Sequence, residues 1–219
     1  MQFILAPILL PIMSTNALTI TTSALLLVIA LILYGSFLKE EFQRFKINLQ
    51  TWGKFILKSF GFYVLLYFLR VLVLELLMNF MDVGNLLQSQ RTLNYLSTTL
   101  SFLPMFFIVS IYAPIVEELV FREGFIAWVN KDNRSLLITM TVLSVIVFTA
   151  PHSFTLADFL LYLPLAMVLT RYYFDYDRNM VGSIFYHFVN NTIAVITMFV
   201  LLWLEIDQMN IKNAIPSLR

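Results

Sequence analysis

The sequence predicts an all-α fold: a polytopic transmembrane helix bundle of about six spans, with its chemically active core in the last four. Three observations lead there. Residues of the set AVILMFWYC make up 60% of the 219 positions, and charged residues only 12%, about half the ~25% usual in soluble domains. The mean hydropathy is +0.83. The apolar residues also fall in runs long enough to cross ~30 Å of hydrocarbon, which takes roughly 20 residues of helix. A soluble domain of this size lacks the interior to hide so much apolar surface. Disorder, a secreted disulfide scaffold and an ordinary cytosolic enzyme are excluded. A net charge of +1 offers no basic face to nucleic acid, and with no cysteine there is no disulfide, thiol nucleophile or thiolate metal site.

The predicted spans are Ala17–Leu38, Phe55–Phe80, a third from Tyr95 or Leu100 to Val129, Leu136–Ala150, Leu156–Phe174 and Met180–Leu204. Met1–Met13 is apolar but short and carries Pro7 and Pro11, so it reads as an interfacial lead-in rather than a signal peptide. The organisation is therefore residues 1–95, a lead-in with two spans; 96–205, the active core; and 206–219, a short polar tail. Cations give the orientation. Lys39, Arg44, Lys46, Lys54, Lys58, Lys131, Arg134, Arg171 and Arg178 fall on one set of connections, against Arg91, Lys212 and Arg219 on the other. Loops 39–54, 130–135 and 171–179 are then cytoplasmic.

Charge inside a span costs from ~2.5 to above 10 kcal/mol and needs a reason. The third span carries Glu117, Glu118, Arg122 and Glu123, and the two histidines of the chain, His152 and His187, both lie in or at the end of apolar runs. Glu118 and Arg122 are i, i+4 and can pair. Glu117, ~100° round the helix, is left to face another partner. Phe148 and His152 share one face, as do His187 and Asn191. At 1.5 Å per residue, Glu117 sits ~20 Å from the loop at Asn130 and His152 ~25 Å from Ser135, so the two can meet. His187 is only ~12 Å from Asn179 and reaches them only if that loop dips inward or the helices tilt.

A converging Glu and His can activate water. A second His and an amide can stabilise an oxyanion. That set suits hydrolysis of an amide or ester without a covalent intermediate. Glu117, His152 and His187 could alternatively bind zinc or another divalent metal with an open water position. Residue types alone leave both routes open. Taken singly, Glu118–Arg122 reads as a structural ion pair and Asn191 as interhelical glue.

The ordered pattern Glu117-Glu118-x-x-x-Arg122, Phe148-x-x-x-His152, His187-x-x-x-Asn191 resembles the three-motif signature of the CPBP family, the CAAX proteases and bacteriocin-processing (Abi) enzymes. The resemblance covers about residues 100–205. It implies an intramembrane endopeptidase, with or without metal, acting on hydrophobic peptides or membrane proteins. Glu117 maps to the catalytic carboxylate, His152 to the water-activating histidine, His187 and Asn191 to the oxyanion or metal, and Glu118, Arg122 and Phe148 to supporting positions. One departure is Leu163-Pro164-Leu165-Ala166, where many members carry glycine. The expected setting is a prokaryotic plasma membrane, with a role in bacteriocin self-immunity or peptide maturation. Two other classes compete: a non-catalytic immunity or regulatory protein that binds a partner, and a small transporter, which the lack of an inverted repeat disfavours. The aromatic second span serves either as a dimer face or as lipid-exposed surface, so the oligomeric state stays open.

Overall fold

The computed structural model describes residues 13–45, 49–80 and 97–214. All elements among them are helical. We label them α1 (Thr15–Arg44), α2 (Leu49–Met78), α3 (Phe102–Ala127), α4 (Arg134–Thr149), α5 (Leu156–Asp175) and α6 (Met180–Ala214). Five of them, all but α5, are long and apolar enough to cross a membrane. The sequence anticipated a sixth span at α5. That helix has 20 residues, but it begins and ends on acidic and basic side chains and is packed among its neighbours. Nearly all of Met1–Met13 lies outside the described residues.

Helix starts follow local chemistry. Ser14 caps α1 by accepting from the Ala17 N–H, and Asn133 caps α4 by accepting from Leu136 N–H at 3.1 Å. Thr155 and Asp158 form a reciprocal capping box at α5. The third span is not one α-helix. Phe102–Phe106 and Ala113–Glu118 are α-helical, while Phe107–Tyr112 and Leu119–Ala127 are wound as π-helix. Such widened turns concentrate at functional sites, and here they flank the segment that ends in Glu117 and Glu118.

α3, α4, α5 and α6 pack on one another, with α1 against α3 and α2 mainly against α5. The interior is aromatic. Tyr172 stacks on Tyr186 with ring centroids 4.6 Å apart, and its hydroxyl meets Ser59 Oγ of α2 at 2.8 Å. Ala166, where a glycine was anticipated, is fully buried beside Phe148, Tyr172 and Tyr186, so alanine is small enough for the close contact. The outer surfaces are apolar. On α4, Ile138, Val142, Leu143, Ile146 and Val147 are exposed, and on α2 Ile56, Leu57, Phe60, Phe68 and Leu72. Apolar surface on this scale has lipid as its solvent, and the chain is a multi-pass membrane protein.

Cations assigned to one side do gather at one end. Lys58 pairs with Asp175 at 2.6 Å, Lys131 with Asp177 at 2.7 Å, and Arg171 with Asp175 at 2.8 Å. The Lys131 ammonium, hydrogen-bonded to Asp177, holds that carboxyl below its ordinary range. The α5–α6 turn is tucked into this end. Asp177 and Arg178 both adopt left-handed backbone conformations, φ 55° and 61°. That folds the Arg178 guanidinium back onto the carbonyls of Ile126, Ala127 and Val129 at the end of α3. Buried Asn179 donates to the Glu41 carbonyl at 3.0 Å and caps α6 through Val181 N–H. The turn thereby sits against the last turn of α3, from which α6 carries His187 to Glu117.

Gly182 lets this turn close: a Cβ there would stand 2.7 Å from the Tyr176 ring, which packs against Phe45, Phe55 and Tyr172. Gly182→Ala is expected to cost about 1–3 kcal/mol through overpacking. A lowered midpoint in a thermal-unfolding scan of the detergent-solubilised chain checks this; an unchanged midpoint would refute it.

Candidate active site

The structure brings Glu117, His152 and His187 together from α3, the end of α4 and α6. His152 Nε2 lies 3.7 Å from Glu117 Oε1, and His187 Nε2 lies 3.8 Å from Glu117 Oε2. Glu117 and His152 keep 23% and 30% of their side-chain surface, whereas His187 keeps 3%. The first two thus face a reactant, and the third is a wall group.

Each imidazole is fixed through its other nitrogen. His152 ends a 3₁₀ turn that extends α4, Ala150–His152. Its Nδ1 meets the Phe148 carbonyl at 2.9 Å. A carbonyl only accepts, so Nδ1 carries the proton. His187 Nδ1 meets Glu118 Oε1 at 3.1 Å, and a carboxylate paired with arginine also accepts. In the neutral rings Nε2 is therefore the bare lone pair, and both point at Glu117.

Behind Glu117 stands a second, fully buried charge system. Arg122 Nε lies 3.1 Å from Glu118 Oε2, with neither side chain exposed. The guanidinium stacks 5.2 Å from the Phe148 ring centroid and donates to Ser144 Oγ at 3.3 Å. Ser144 in turn donates to the Phe121 carbonyl at 2.6 Å. Arg122, Glu118, His187 and Glu117 thus form one chain of polar contacts. Glu118 and Arg122 pair at i, i+4 as their spacing allows, while Glu117 faces the two histidines.

Asn191 makes the interhelical contact that its residue type allowed. Its amide donates to the Val109 carbonyl at 2.8 Å, and its own carbonyl accepts from Asn190 at 3.1 Å. It ties α6 to the first π-helical segment of α3, with one N–H to spare.

Metal binding by Glu117, His152 and His187 was one option left open by the residue types. The second-nitrogen pattern resembles that of ligating histidines. Yet among the described residues no group of three or more His, Asp or Glu side chains is placed to hold a metal ion. A water can serve the observed gap directly. At 3.7 Å Glu117 Oε1 and His152 Nε2 are too far apart to bond to each other, but a water ~2.8 Å from each closes the triangle. Both groups accept, so the water donates one hydrogen to each and turns a lone pair outward.

Two contributors were missed in the sequence. Ser144 was not singled out, although Ser144, Phe148 and His152 form a legible i, i+4, i+8 stripe. Tyr162 of α5, stacked on His152 with ring centroids 5.3 Å apart, gave no signal.

Residues 99–193 match the family described as type II CAAX prenyl endopeptidase Rce1-like. The matched segment, which holds Glu117, His152, His187 and Asn191, is similar to that family. The chain is similar to the UPF0177 protein YbdI of Lactococcus lactis subsp. lactis (strain IL1403), 27% identical over 157 residues that cover 70% of this chain and 81% of that protein. No solved structure matches.

Removing one partner of a buried pair leaves the other uncompensated, at about 3–5 kcal/mol. Arg122→Ala is expected to unfold at a markedly lower temperature than the parent. Joint replacement, Glu118→Leu with Arg122→Met, is expected to recover much of that stability without recovering activity. A double-mutant cycle of melting and cleavage checks both halves.

Proposed function

We propose that the chain is an endopeptidase that hydrolyses hydrophobic or membrane-associated peptides with a water held between Glu117 and His152. The observation that carries this is the pair of proton acceptors, Glu117 Oε1 and His152 Nε2, 3.7 Å apart and open on one side. As the water oxygen bonds to the scissile carbonyl carbon, its proton passes to Glu117 and His152 orients the remaining hydrogen. The C–N bond breaks as the same proton is delivered to the amide nitrogen. The spare N–H of Asn191 is the donor assigned to the carbonyl oxygen. Glu118 and Arg122 act through His187, which they hold in place.

Lipid-facing helices around this centre favour substrates that are themselves apolar, reaching it from the bilayer. The resemblance to a lactococcal protein supports a prokaryotic plasma membrane as the setting. Peptide maturation or bacteriocin self-immunity is the role consistent with a small enzyme of this substrate class.

Cleavage of a library of hydrophobic and amphipathic peptides by the purified chain in liposomes tests the reading. Glu117→Gln and His152→Ala are each expected to lower the rate at least ~10²-fold while leaving the melting midpoint near that of the parent. Full activity in either variant would refute the mechanism. Phenanthroline is expected to leave the rate unchanged; a loss restored by added zinc would overturn the metal-free form.

A further inference from the structure

Among the described residues, the hydrogen bond of the His152 ring stays within its own helical stretch. Its Nδ1 bond runs to Phe148, four residues earlier. That contact fixes which nitrogen is protonated and anchors one edge of the ring. Two aromatic rings hold its plane. Phe148 stacks on the imidazole at 5.2 Å between centroids and 25° between planes. Tyr162, from the neighbouring helix, stacks at 5.3 Å and 24°. Both rings are thus close to parallel with the imidazole, and they come from different helices.

The two rings are not equally firm. Phe148 is buried under the Arg122 guanidinium and against Phe121. Tyr162 is half-buried and stands on the first half of α5. The capping box of Thr155 and Asp158 anchors that half at its start. Asp158 Oδ2 also accepts from the N–H groups of Phe154 and Thr155 in the connection that follows His152. Pro164 lies two residues beyond Tyr162 and supplies no N–H for the carbonyl of Leu160. The short connection from His152 to α5 is therefore built to present one aromatic face to the imidazole.

We infer that Tyr162 is a positioning residue: its ring, stacked on His152, sets the plane in which Nε2 faces the water on Glu117. The inference rests on the proposed role of His152. The phenol hydroxyl has no part in it, so phenylalanine should replace tyrosine and an aliphatic side chain of similar bulk should not. A misplacement of ~1 Å in a reacting group can cost about a hundredfold. That loss falls on the chemical step, because the ring orients a catalytic group.

The test uses the full-length protein in detergent, with Tyr162→Phe, Tyr162→Leu and His152→Ala. Carbon-13 histidine labelling gives signals from only two imidazoles, and His152→Ala assigns them. Tyr162→Leu is expected to lower kcat ~10–100-fold with KM within about twofold, and to move the His152 ring-proton signals downfield as the stacked ring is lost. Tyr162→Phe is expected to keep both kcat and those shifts near the parent values. Unchanged His187 signals show that the Leu variant is folded. Parental kcat in Tyr162→Leu, or an equal loss in Tyr162→Phe, overturns the inference. If instead His152→Ala retains cleavage, the proposed mechanism itself falls, which the first two variants alone would not show.

Discussion

The Glu118–Arg122 pair is the constraint around which the core is arranged. Both side chains are fully buried within a helix that crosses lipid, where an isolated charge would be very costly. Once Arg122 is placed, Glu118 must answer it from four residues before. Ser144 and the face of Phe148 then supply the remaining polar and aromatic contacts. The other oxygen of Glu118 is left to fix His187. The ion pair thus sets the register of α3 against both α4 and α6. Its net worth to stability is modest by the general behaviour of buried pairs; its contribution is to specify one arrangement.

Glu117 is displayed by the same helix without sharing in that pair. The α-helical segment Ala113–Glu118 sits between two π-helical segments, and the wider turns change which residues come into line on either side of it. Neutralised charge behind and an open carboxylate in front are thereby produced by adjacent residues. The third member depends on a remote device. His187 is close to the start of α6, and the turn before it is tied to α3 and α1 by Arg178 and Asn179.

Much of this was legible in the residues. The helical runs and their approximate limits follow from apolar length. The pairing of Glu118 with Arg122, the separate facing of Glu117 and the shared face of Phe148 and His152 follow from the helical period. What was not legible depends on contacts remote in sequence or on non-standard backbone. Periodicity assumes 3.6 residues per turn and cannot foresee π-helical winding. Arg178 reads as one more cytoplasmic cation until its left-handed backbone folds it onto α3. Asn191 shares a face with His187, yet its amide is drawn to the Val109 carbonyl exposed by the π-helical segment. Tyr162 belongs to an apolar run in which nothing distinguishes it. α5 has the length of a span, but its polar ends and deep packing set it apart from the five others.

The lengths of the apolar stretches have a further effect. Ala17–Leu38 in α1 is 22 residues, ~33 Å of helix, and matches a bilayer core of ~30 Å. The apolar part of α4, Leu136–Ala150, is 15 residues, ~22 Å, and it turns Ile138, Val142 and Ile146 to the lipid. Hydrophobic matching is then unequal around the perimeter, and thinning of the bilayer beside α4 is one way to meet the mismatch. Such a shallow place lies next to the end of α4 that carries His152. A peptide bond leaving the lipid there would have a shorter apolar path to cross than anywhere along α1, and water would have less hydrocarbon to traverse on its way in.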